Sequence, residues 1–290
     1  MNQRLFLLML LSLGLLACGA TQTRLTGDMK LGEKKGDASS LVKAGDDLWK
    51  ERADRSKAEA AVAKWEEAIK LDPTDAGAHL KLAYAYYFMA NVHVKWEDDS
   101  DAKEEALFKK GYEVAEVAIL LENPNFQKEL KAGKSWEESI SLVPKDKISS
   151  LYWYSTNLGK WSLKRGITTT LGNKNRIKST MEHVRNLDET FFYGAPHRYF
   201  GVYEAKVPFG NIQESGKSFD KAIKINAHYL DTQVLKAQYF AAKTQNEELF
   251  KTLLKGVMDA DPTKIPELVV ENKNAQRTAK DLLERIEDFF

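Results

Sequence analysis

The sequence predicts an all-α fold, a divergent tetratricopeptide-like array of paired helices wound into an α-α superhelix. Three observations carry this expectation. From Leu41 onward, apolar residues recur at three- and four-residue intervals, without the sustained alternation that a strand requires. Residues 57–89 read KAEAAVAKWEEAIKLDPTDAGAHLKLAYAYYFM. Ala61, Trp65, Ala68 and Pro73, followed by Leu82, Ala83 and Tyr86, match a repeat whose period is about 34 residues. The phrase returns 154 residues later, with Phe219 for Trp65, Ala222 for Ala68, Ile223 for Ile69, Ala237 for Ala83 and Phe240 for Tyr86. Small alanines let paired helices approach, and an aromatic from one helix fills the gap beside its neighbour.

The chain divides into three parts. Residues 1–17 carry Arg4 and then an apolar run, too short to span a bilayer, which needs about 20 residues. The run ends at Leu15-Leu16-Ala17-Cys18, which resembles the lipobox of a lipoprotein signal peptide; an ordinary secretory signal is the alternative. Cys18 is the only cysteine, so it has no internal disulfide partner and is the expected site of lipidation. Gly19, rather than aspartate, follows it, which favours the periplasmic face of the outer membrane over the inner membrane where enteric sorting applies. Residues 18–40, rich in Gly, Ser, Thr and Lys, read as a lipidated N-terminus and tether with a reach of roughly 25 Å. Residues 41–290 form the helical repeat domain.

Within that domain the pattern predicts helices near 41–54, 57–71, 75–96, 101–121, 146–165, 174–187, 195–206, 212–225, 229–244, 246–259 and 272–289. Leu71-Asp72-Pro73 ends the second, because proline cannot continue the hydrogen-bond ladder. Capping-box spacing appears at Ser56 with Glu59, Asp101 with Glu104 and Ser135 with Glu138. Ala227 stands where Pro73 stood, and the period is lost around 122–148.

Several function classes find no support. The chain has 43 Lys and Arg against 42 Asp and Glu, and removing residues 1–17 takes only Arg4, leaving no net charge to attract a nucleic acid. The five histidines form no metal-binding motif, and no nucleophile elbow occurs. Asp98, Asp99 and Asp101 lack the glycine and glutamate of a calcium loop. Gly210 to Ser218 has five residues between its glycines where a P-loop has four, and reads instead as a turn opening a helix. No cofactor, metal or catalytic residue is expected.

Five phrases carry a more specific resemblance: LYWYSTNLGKW at 151–161, LDETFFYGAPHRYFGVYEAKVP at 187–208, SFDKAIKI at 218–225, ELFKTLLKGVMDADP at 248–262 and ENKNAQRTAKDLLERIEDFF at 271–290. With the lipobox, they resemble the T-component lipoproteins of TRAP transporters (TatT). The resemblance implies a periplasmic, membrane-anchored helical protein that forms a homotrimer and does no catalysis. It implies a partner, the substrate-binding P-component of a TRAP system, and an apolar or organic-acid ligand. A repeat lipoprotein scaffolding outer-membrane, pilus or secretion machinery is the rival reading.

Aromatics crowd the helix at 146–165, where Leu151, Tyr154, Leu158 and Trp161 share one face while Tyr152 and Trp153 point elsewhere. Phe191, Phe192, Tyr193, Tyr199 and Tyr203 form a second concentration. Core packing accounts for both; a ligand cleft, pore or interface is the sharper alternative, with Tyr152, Trp153, Phe191 and Tyr199 as its candidates. The anchor is directly testable. Cys18→Ser should abolish incorporation of labelled lipid and block lipoprotein processing, and a variant that stays lipidated and membrane-bound would overturn the lipobox reading.

Overall fold

A computed structural model describes residues 31–290; the leader and Cys18 lie outside the described residues. Among these there are thirteen α-helices and no strand, an all-α helical repeat array. α1 (Ser39–Trp49) and α2 (Arg55–Leu71) form the first hairpin, and α3 (Ala76–Phe88) packs on α4 (Ser100–Glu122). α5 (Pro124–Lys131) and α6 (Trp136–Ser139) precede α7 (Ile148–Arg165), which lies between α4 and α8 (Ile167–Leu187). α9 (Phe191–Lys206) pairs with α10 (Ile212–Ile225). α11 (Asp231–Leu235), α12 (Glu247–Asp259) and α13 (Val269–Glu284) complete the array.

Local chemistry sets the ends of these helices. The Asp54 carboxylate accepts the Ser56 N–H at 2.8 Å and caps α2, so Asp54, rather than the expected Ser56, does the capping. Asp75 caps α3 by accepting from Ala78 N–H at 2.9 Å. Ser135 and Glu138 form the expected reciprocal capping box on α6. Asn211 caps α10 by accepting from Gln213 and Glu214, which makes the stretch after Gly210 a helix start.

The hairpins interlock through glycine facing an aromatic ring. A Cβ at Gly45 on α1 would lie 2.5 Å from Trp65 of α2, whose indole N–H donates to Val42 O at 3.2 Å. A Cβ at Gly201 on α9 would lie 2.8 Å from the Phe219 ring of α10, the repeat equivalent of Trp65. Gly216 meets Phe240 in the same way, at 2.7 Å. Trp65, Ala68, Ala83, Tyr86, Phe219, Ala222 and Ala237 are all buried, and Phe240 is partly covered.

Three segments differ from the sequence expectation. Residues 34–38, assigned to the tether, pack on the array: Lys35 N–H donates to Leu71 O at 2.8 Å, Lys34 pairs with Asp72, and Ala38 joins Ala68 and Ala78. Residues 122–148 are structured, placing Phe126, Leu130, Trp136, Ile140 and Val143 in the largest core cluster with Leu151, Tyr154 and Leu158. The regular helices expected at 75–96 and 229–244 each pass into a wider π-helical turn, at Met89–His93 and Lys236–Ala241.

The interlock predicts its own mutants. Trp65→Ala should destabilise by about 3–5 kcal/mol through cavity formation. Gly201→Ala should cost about 1–3 kcal/mol by overpacking, despite the better helix propensity of alanine. Urea unfolding would measure both, and Phe219→Leu should relieve most of the Gly201→Ala penalty. A Gly201→Ala protein more stable than wild type would show that the ring does not confine this position.

Candidate functional site

α13 returns to the first repeat and closes the array around a central cavity. Arg52, just beyond α1, donates from Nε and Nη2 to the two Glu271 oxygens at 3.2 and 3.1 Å, and Tyr84 of α3 bonds to the same carboxylate. Beside them, Trp96 Nε1 donates to Asn274 Oδ1 at 3.0 Å and Asn274 Nδ2 donates to Asn91 O at 3.2 Å. The Arg277 guanidinium stacks 4.0 Å from the Trp96 ring. These contacts set α13 opposite α7, with space between.

Three adjoining compartments of 550–730 Å³, each counted to its mouth, occupy that space and share walls. The first is walled by Tyr84, Tyr87, Phe88, Trp153, Phe192 and Tyr229. It shares Tyr87, Lys160, Asp231 and Leu235 with the second, which in turn shares Gly159, Leu163, Tyr199 and Val202 with the third. The last adds Leu171, Ile177, Tyr203 and Val207 together with Lys174 and Lys206, and what it exposes is mostly apolar. Both π-helical turns line the interior, through Asn91 and Val92 and through Gln238 and Tyr239. A π turn admits an extra residue and re-aims side chains, and such turns concentrate at functional sites.

α7 forms one wall. Tyr152, Ser155, Thr156, Gly159, Lys160 and Leu163 follow helical spacing along a single stripe and all line the second compartment. The other stripe, Leu151, Tyr154 and Leu158, is core. Of the four sequence candidates, Tyr152, Trp153 and Tyr199 line the cavity. Phe191 stands behind it, edge-on to Tyr152 with ring centroids 5.5 Å apart. Tyr152 and Trp153 are 5% and 7% exposed, so they serve the cavity wall and not an outer surface.

The charged residues of the site were not among those candidates. Lys95, Lys160 and Arg198 face the two inner compartments against two carboxylates, Asp231 and Glu271, and Glu271 is already neutralised by Arg52, while Lys174 and Lys206 line the outer one. Lys95 donates to Thr278 Oγ1 at 3.2 Å and lies over the Trp96 ring. No hydrogen bond or ion pair among the described residues reaches the Lys160 ammonium, and burial lowers its pKa, as it does that of Lys95. Burial pushes the Tyr87 and Tyr229 hydroxyls well above the ordinary tyrosine range, so these walls stay neutral. The one available sequence signal was a lysine following Gly159 inside an aromatic helix.

Arg198 also holds a strained turn. Phe192, Tyr193 and Gly194 take φ values of 42°, 59° and 76°, left-handed geometry that is unfavourable for the two aromatics. The guanidinium donates to Tyr193 O at 3.2 Å and Phe192 O at 3.4 Å while stacking 4.0 Å from the Tyr229 ring. The turn thereby presents Phe192 to the cavity between Trp153 and Tyr229. Gly194 suits this turn, since its φ of 76° would strain a side chain and a Cβ would crowd the Ala222 backbone at 3.2 Å.

Gly159 opens onto the cavity, and a Cβ there would meet no atom within 4 Å. Gly159→Ala should therefore stabilise the protein by about 0.5–1 kcal/mol through helix propensity alone. Thermal unfolding would register this, and destabilisation would show that the space is not open.

Among the described residues no cluster of His, Cys, Asp and Glu could hold a metal ion, and no helix is long and apolar enough to cross a membrane. A search of curated proteins finds no match. The model of one protein family, the TRAP transporter T-component, matches residues 58–290, most of the chain and the whole wall of the cavity. The chain therefore belongs to the TRAP transporter T-component family, whose members are accessory proteins of transport and not enzymes.

Proposed function

We propose that this protein is the lipid-anchored, periplasmic T-component of a TRAP system, engaging the system's substrate-binding P-component and receiving an apolar or organic-acid ligand in its cavity. The observation that carries the reading is the family match over residues 58–290, which takes in both walls of a cation-bearing cavity. The anchor belongs to Cys18, and the outer membrane is the favoured location because Gly19 follows it. A general envelope scaffold would account for the repeat, but it gives no reason to gather Lys95, Lys160 and the buried Arg198 on one cavity, where withdrawing charge from water is costly.

The protein acts as a homotrimer in this reading, and the balanced charge of the mature chain puts no long-range repulsion between subunits. Sedimentation of the full chain should give a trimer, and titration with the substrate-binding protein of its own TRAP system should saturate without turnover of any substrate. A monomer that ignores that protein at high micromolar concentration would overturn the assignment and leave the scaffold reading.

A further inference from the structure

Charge and apolar surface are segregated along the cavity. Lys160 stands at the junction of the two inner compartments with Asp231 and Tyr87, and its ammonium has no direct partner. One turn and a half earlier on the same stripe of α7, Ser155 is fully buried, yet its Oγ has no hydrogen-bond partner. A buried hydroxyl left unpaired costs about 1–3 kcal/mol, so the Ser155 Oγ, on the same wall as a part-buried ammonium without a direct partner, marks a place where an acceptor belongs. Arg198 is the second cation of that compartment, and Asp231 is the one carboxylate in its lining. Beyond Gly159, which leaves the passage open, the walls become Leu163, Leu171, Val202 and Val207.

We propose that the cavity holds an amphipathic monoanion, with its anionic head against Lys160 and Ser155 and its apolar tail running past Gly159 toward Leu171 and Val207. This rests on the reading of the protein as a ligand-receiving transport accessory, and it assigns that ligand's chemical class. One anionic head supplies the counter-charge that Asp231 leaves wanting. A short dicarboxylate such as succinate has no apolar tail, so it leaves the outer end, where Leu163, Leu171, Val202 and Val207 stand with Lys174 and Lys206, unfilled. An uncharged chain would fill the outer end but leave the Lys160 ammonium without a counter-charge.

Octanoate is the probe, compared with 1-octanol and succinate by calorimetry on the full chain in nanodiscs, with empty nanodiscs subtracted. Octanoate should bind, and each comparison compound should bind about tenfold or more weakly, the scale of one charge-assisted hydrogen bond. Lys160→Met should abolish the preference for octanoate over octanol while leaving the helical circular dichroism unchanged. Gly159→Leu, which enters open space, should block both. Octanoate binding no tighter than octanol or succinate, or a Lys160→Met variant that keeps the preference, would overturn the proposal. Titration of the same preparation with the substrate-binding protein reads the broader assignment separately, so a ligand failure and a partner failure remain distinct.

Discussion

An array of helix pairs is open unless something joins its ends, and here the Arg52–Glu271 pair joins them. Each partner side chain is little exposed, 12% and 14%, and the geometry is bidentate with Tyr84 supplying a further hydrogen bond to the same carboxylate. A pair this well satisfied holds the register of α13 against α3, whereas removing one partner would leave a largely buried charge. Asn274 and Trp96 extend the seam, so both hydrogen bonding and stacking fix where α13 lies. Everything enclosed by the ring, including the cavity, takes its shape from this closure.

Closure at one end demands close approach along the rest of the array. The glycines at 45, 201 and 216 supply it, each giving an aromatic ring the space a Cβ would take. The stabilisation comes from the buried ring, and the glycine sets how near the partner helix comes. The Trp65 and Phe219 hairpins repeat this device at opposite ends of the domain, which is why the duplicated phrase survives there while the middle diverges. The helices of 122–148 occupy that divergent middle and thicken the core beneath α7 with Phe126 and Trp136, the latter donating its indole N–H to Thr180 at 2.7 Å.

The interior of the ring carries costs that packing does not explain. Phe192 in left-handed geometry, a lysine without a direct partner and a buried serine hydroxyl without one are each unfavourable, and all three line the cavity. Arg198 links them structurally, holding the carbonyls of the strained turn while facing the same compartment as Lys160. A core selected only for stability would replace such groups with apolar ones, since burial favours neutral side chains. Their concentration at one place is consistent with a site kept for an occupant.

The sequence by itself determined the helical class, the pairing of Trp65 with its neighbours and of Phe219 with its own, the stop at Pro73, the capping box at Ser135 and the core stripe through Leu151, Tyr154 and Leu158. Each of these is written in residues a few positions apart, because helix periodicity and capping are local. It also pointed to Tyr152, Trp153 and Tyr199 as aromatics in excess of one buried face. Only the tertiary structure decided that these line a cavity and that Phe191 does not. Only it brought Lys160, Arg198 and Asp231 together, since Arg52 and the Glu271 that closes the ring are 219 positions apart. A local pattern reports which face of a helix is buried; what that face meets is set by a closure that no local pattern encodes.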